Sequence, residues 1–143
     1  GTRVLLDFAP ESSVVTFDLT KWNDFETTYL TESDFVDNGG RLVQSQDNLQ
    51  HQDAFAKHAK LLVNADFIMC DGPKDGVFER SFLQKLSSLD FPKKRRFLFL
   101  DDIRFISEIP LWRDIKSPKV DLTSFGHFSG SGLVDISEGL KLS

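Results

Sequence analysis

Asp71, Lys74, Asp101 and Asp102 have the types and spacing to hold a cation and to work beside it. Asp71 and Lys74 stand in the turn Asp71-Gly72-Pro73-Lys74-Asp75-Gly76, directly after the apolar run Phe67-Ile68-Met69-Cys70. Asp101 and Asp102 directly follow a second run, Phe97-Leu98-Phe99-Leu100. An apolar run ending in Asp reads as a buried parallel strand whose last residue reaches the carboxyl edge of its sheet, where open α/β folds bind ligands. Two such ends on neighbouring strands lie about 5 Å apart, close enough for one hard cation between carboxylates. Lys74 would then act as a base toward a substrate hydroxyl, because burial or a nearby cation depresses a lysine pKa. The plain alternative for the first cluster is a solvated turn, where Asp, Gly, Pro and Lys are all common. For the second, alternation puts adjacent side chains on opposite faces, so one carboxylate would ligate and the other brace or cap a helix starting near Arg104.

Two more strand ends carry the same residue. Asp18 ends Val14-Val15-Thr16-Phe17-Asp18, and Asp47 follows the run 41–45. An acidic residue there accepts hydrogen bonds from a ribose diol in many open sheets; an exposed strand end is the alternative. Each of four expected parallel strands is thus followed by Asp, and the joint pattern points to a ligand site more strongly than any member. His127, in the glycine-rich loop 125–132, is a secondary candidate. His51 and His58 are seven apart, where a helical metal pair wants three or four. Cys70 reads as a small buried hydrophobe. The chain holds no nucleophile elbow, no phosphate-cradling glycine loop and no Cys/His zinc spacing.

The elements that must position these residues follow from periodicity. Residues 2–9 read as a helix stopped by Pro10, and Ser13 to Leu19 as a strand. A short helix is expected near Ser33–Val36, a turn at 38–40, and a strand over Arg41–Ser45. Helix follows over Gln50–Val63, strand over Ala65–Cys70, and helix over Gly76–Leu89, with Phe78, Phe82, Leu86 and Leu89 in one stripe. Arg96–Leu100 reads as a strand and Arg104–Ile115 as a helix interrupted or restarted at Pro110. Lys119–Thr123 and Leu133–Ile136 read as strands around a turn or loop. Such alternation predicts an α/β fold with a mostly parallel sheet between helices. The last two strands lack a crossover helix and should form an antiparallel hairpin at one edge.

Size and charge narrow the field. A chain of 143 residues reads as one domain with a core that needs no staples. The 14 phenylalanines read as core filling. The single cysteine suits a reducing, cytoplasmic setting. No apolar stretch approaches a membrane span, and no leader pattern is visible. A net charge of -5 argues against a nucleic-acid partner. Lys93-Lys94-Arg95-Arg96 reads as a solvated turn.

With these residues in view, the chain resembles the class I S-adenosylmethionine-dependent methyltransferases, and among them the cation-dependent, catechol-type O-methyltransferases. That family carries Asp-x-x-Lys-Asp after its fourth strand, matched by Asp71 to Asp75. It carries Asp-Asn after its fifth, where this chain has Asp101-Asp102, and it ends in an antiparallel hairpin. The resemblance implies a Rossmann-like sheet, Mg²⁺ on Asp71, Asp101 and Asp102, and Lys74 as the base. It implies S-adenosylmethionine as methyl donor, with Asp18 on its ribose and Asp47 near its adenine, and a small-molecule hydroxyl acceptor. Asp102 in place of Asn adds a negative charge to the metal set.

One departure is large. The family's first strand and glycine-rich loop precede the helix expected at residues 2–9, and this chain begins inside that helix. The expectation is therefore an N-terminally truncated sheet, with weak or absent cofactor binding. The family's first strand is central, so its role would fall to rearrangement or to pairing in a homodimer. Residues 3–8 cannot be that strand, because about five residues are too few for a parallel crossover. Two other readings stand beside the enzyme. One is a non-catalytic remnant or interaction module. The other is a haloacid-dehalogenase-like phosphohydrolase, echoed by Val15-Thr16-Phe17-Asp18, although Thr20 and Lys21-Trp22 break that pattern.

Overall fold

A computed structural model describes residues 1–126 and 128–143; His127 lies outside the described residues. The chain divides into two compact units, Gly1–Ala54 and Phe55–Ser143.

In the first unit, helix α1 (Thr2–Phe8) is followed by strand β1 (Val14–Phe17) and, after three short 3₁₀ turns, by strand β2 (Leu42–Ser45). The strands pair in parallel, with Val14 opposite Leu42 and Phe17 opposite Ser45. Leu6, Val14 and Leu42 form the core, with Leu5, Leu30 and Phe35 packed on it. Arg41 binds this unit together by donating to the carbonyls of Leu6 (2.6 Å), Ala9 (2.9 Å) and Ser12 (2.5 Å). These carbonyls belong to the end of α1 and the loop after it, which leave acceptors without helical partners.

Helix α2 (Gln52–Asn64) spans the boundary between the units. The second unit continues through strand β3 (Phe67–Cys70), helix α3 (Phe78–Ser87), strand β4 (Phe97–Asp101), helix α4 (Ile109–Asp114), and strands β5 (Lys119–Asp121) and β6 (Ser131–Asp135). The sheet order is β3-β4-β6-β5. β3 and β4 are parallel, while β6 runs antiparallel to both β4 and β5. Phe82, Leu83 and Leu86 bury the apolar stripe of α3, and Leu98, Val134 and Ile136 are fully enclosed.

An α/β chain with a closing antiparallel hairpin is therefore what forms. The single, mostly parallel sheet is not: among the described residues there are two sheets, and two ladders are parallel and two antiparallel. In the second unit β3 and β4 pair in parallel through the α3 crossover, whereas β6 inserts between β4 and β5 and runs antiparallel to both.

One further expectation holds in part and two fail, for identifiable reasons. The helix expected over Arg104–Ile115 is present only from its expected restart: it runs over Ile109–Asp114 with Pro110 in its first turn, where the missing amide has no partner to lose, and turns precede it. The basic run is solvated only in part. Lys93 to Arg95 are exposed, whereas Arg96 is 1% exposed, donates to the Val63 and Pro92 carbonyls, and lies over the Phe91 ring. The phenylalanines do not simply fill the core. Phe55 and Phe82 do, but Phe8, Phe25, Phe67, Phe105, Phe125 and Phe128 are exposed.

Candidate metal centre

β3 and β4 run side by side with Cys70 opposite Leu100. One step further along each strand lie Asp71 and Asp101, so the parallel register delivers both carboxylates to the same edge. Asp101 is also steadied from β6, where the Ser131 hydroxyl donates to its Oδ1 at 3.3 Å.

Asp102 joins them by leaving strand geometry. Its φ is +60°, in the left-handed region, which a short acidic side chain tolerates better than most. The turn breaks the alternation that would have sent its carboxylate to the opposite face. One ligand atom from each of Asp71, Asp101 and Asp102 lies within 4.8 Å of the others. Both carboxylates of the Asp101-Asp102 pair therefore reach one cluster, which strand alternation by itself would not allow. Nor does Asp102 cap a helix, since α4 starts at Ile109.

Lys74 closes the cluster. Its Nζ lies 2.9 Å from Asp71 Oδ1 and 3.7 Å from Asp102 Oδ2, and its side chain is 11% exposed. Burial alone would lower its pKa, but hydrogen bonding and the charge of Asp71, with further help from Asp102, leave it raised. Lys74 also has a positive φ, of 61°. Among the described residues, Lys74 and Asp102 are the two non-glycine positions with positive φ. Backbone held in sparsely populated regions collects at functional sites, where surrounding bonds over-determine it.

Those surrounding bonds come from residues that the sequence pattern did not single out. Glu79, in the first turn of α3, is buried, and its two oxygens accept from the Lys74 (2.8 Å) and Gly76 (3.2 Å) amides. Ser107 Oγ donates to the Lys74 carbonyl at 2.8 Å. Asp75 Oδ1 accepts from the Val77 and Phe78 amides, which hold its carboxyl below the usual range. Gly72 is required by close approach: a Cβ there would meet Glu79 Oε1 at 2.5 Å. The one local signal for Glu79 was an acidic residue in a first helical turn. Ser107 and Glu108 had no local signal, because their relation to the cluster is made by the fold.

Asp18 and Asp47 follow β1 and β2 in the first unit. Asp18 is exposed and accepts from the Thr20 amide at 2.9 Å. Asp47 is half-buried, with the Ser45 hydroxyl donating to its Oδ2 at 3.2 Å. Cys70 is buried as expected, and burial, followed by the charge of Glu79, pushes its thiol up to about 12.

Compared with known proteins, the chain matches no family model, no curated protein and no solved structure. No helix among the described residues is long and apolar enough to cross a membrane.

Proposed function

We propose that the second unit binds a divalent cation on Asp71, Asp101 and Asp102 and uses it to activate an acceptor hydroxyl, as in cation-dependent O-methyl transfer. The observation that carries this reading is the convergence of three hard oxygen donors within 4.8 Å of one another. Mg²⁺–oxygen bonds of about 2.0–2.1 Å hold two ligands of one ion no more than about 4.2 Å apart, so donors within 4.8 Å need only a small side-chain adjustment to share it, and carboxylates are the ligand type that Mg²⁺ prefers.

A bound cation would polarise the acceptor oxygen and lower the pKa of its hydroxyl. The chain's own residues supply the rest. Lys74 is held protonated by the carboxylates that would hold the cation. Once their charge is taken up by a cation, burial remains as the dominant influence on Lys74 and acts downward. With a cation on those carboxylates, Lys74 Nζ, beside Asp71 and Asp102, would be the group placed to take the acceptor proton. Methyl transfer is a direct displacement, so positioning supplies most of the acceleration.

S-adenosylmethionine as donor, with Asp18 and Asp47 as its contacts, rests on the family resemblance alone. The two leading cavities, of about 10 Å³ and about 50 Å³, are far below the roughly 300 Å³ of a small-molecule pocket. They do not fit the cofactor.

Calorimetric titration of the full chain with Mg²⁺ tests the cation reading. Binding is expected in the wild type and is expected to vanish in Asp102→Ala and Asp71→Ala, which remove a ligand oxygen outright. No binding in the wild type, or unchanged binding in both variants, sinks it.

One observation favours a second, non-catalytic reading. β1 and β3 each carry a single ladder, and open strand edges are templates for pairing with another chain. A homodimer built through such an edge would appear as twice the monomer mass in sedimentation equilibrium. A monomer at high concentration counts against it.

A further inference from the structure

Behind the acidic cluster lies a cavity of about 10 Å³, lined by Cys70, Glu79, Asp101, Glu108 and Trp112 among others. That is room for one water molecule. Two of its lining residues are buried carboxylates, and they differ in one respect. Glu79 spends both oxygens on the amides of the Lys74 turn. Glu108 is 6% exposed, and its Oε1 has no hydrogen-bond partner. Asp101, a member of the cation cluster, lines the same cavity.

A buried carboxylate oxygen without a donor is costly, and proteins rarely keep one without a use. None of the cavity's other polar groups donates to Glu108 Oε1: Asp101 and Glu79 carry acceptor carboxylates, the Cys70 thiol is a weak donor, and the Trp112 indole N–H makes no hydrogen bond to it. Water supplies what is missing, since it can donate one hydrogen to each of two acceptors.

We propose that Glu108 is a positioning residue of the cation site, acting through one water in this cavity that bridges its Oε1 to the Asp101 carboxylate. This rests on the cation reading given above and deepens it. The water would fix the rotation of Asp101, already steadied on another side by Ser131, so that one oxygen faces Asp71 and Asp102. Outer partners that orient metal-binding carboxylates typically change metal affinity by about 10- to 100-fold when removed.

The test is a Mn²⁺ titration of the full chain, read by the electron paramagnetic resonance signal of the free ion, with a cation-free thermal melt of each variant. Glu108→Met removes the acceptor while keeping the volume, and about tenfold weaker binding is expected with no fall in melting temperature. Glu108→Gln keeps an acceptor oxygen and is expected to restore most of the affinity, a rescue that a packing role does not explain. Cys70→Val fills the water's space while leaving Glu108 intact, and it is expected to weaken binding in the same way. Wild-type affinity in Glu108→Met, or in Cys70→Val if the Met variant melts early, overturns the proposal. Asp102→Ala separates the two levels. If it loses Mn²⁺ while Glu108→Met does not, only the role of Glu108 falls. If the wild type takes up no Mn²⁺, the cation reading falls and this role falls with it.

Discussion

Among the described residues, the first unit buries four apolar side chains, Leu6, Val14, Leu42 and Leu49, whereas the second buries fifteen. The first has a two-stranded sheet and the second a four-stranded one. A two-stranded sheet with so small a core is marginal by itself. The first unit therefore leans on polar cross-links: Arg41 to three carbonyls, and Arg3 to Asp34 at 2.8 Å, with Asp34 accepting in turn from the Thr31 amide. The second unit rests on apolar layers, and it can carry a cluster of like charges and two left-handed non-glycine residues at one edge. Strain and repulsion are tolerated where the packing beneath is deep.

The comparison can be broken at its strongest point. Leu98 is fully buried on the β4 strand between β3 and β6, so Leu98→Ala is expected to cost about 3–4 kcal/mol. Urea unfolding monitored by tryptophan fluorescence would measure it, and a loss under about 1 kcal/mol would contradict the layered core. Next in size, Arg41→Met removes a donor from three carbonyls of the first unit, of which that of Ala9 keeps the Ser12 amide. A loss of about 2–3 kcal/mol is expected there. Native-state hydrogen exchange should show β1 and β2 losing protection while β4 and β6 keep theirs.

A third, smaller effect depends on pH. Burial, then the charge of Glu79, raises the Glu108 pKa above the ordinary glutamate value, against the pull of Ser107 and Lys74. The fold therefore favours the protonated form. That contribution is complete below the unfolded pKa and is lost as pH rises through the folded one. Glu108→Gln removes the dependence. Its stability relative to wild type should be least favourable in acid and improve steadily as pH rises from 4 to 7. A difference that is flat over this range would refute the argument.

The smallest expected effect is at Asp102. Glycine adopts a φ of +60° without strain, so Asp102→Gly should leave the cation-free chain unchanged or up to about 1 kcal/mol more stable. It should also abolish cation binding. Marked destabilisation would mean that the Asp102 side chain is structural.

Much of this was legible in the chain. The α3 stripe, the strand ends at Asp71 and Asp101 and the closing hairpin follow from local period and composition. What escaped was set by distance or by single-residue geometry. The burial of Arg96 depends on carbonyls at Val63 and Pro92. The engagement of Glu79 depends on a turn that folds back over α3. Asp102 reaches the cluster through one dihedral angle that no periodicity encodes. The division into two sheets is a matter of long-range pairing, invisible to any window of a dozen residues. Phe125 and Phe128 carried a local sign of exposure in their glycine-rich loop, whereas Phe67, exposed in a strand, did not.

The chain's one sulfhydryl, at Cys70, is enclosed and held almost wholly neutral at physiological pH, with its pKa pushed up to about 12. Alkylating reagents need a thiolate that they can reach. Labelling at this position therefore keeps time for breathing of the larger unit, and a ligand that tightens the neighbouring edge would slow that clock without touching the sulfur.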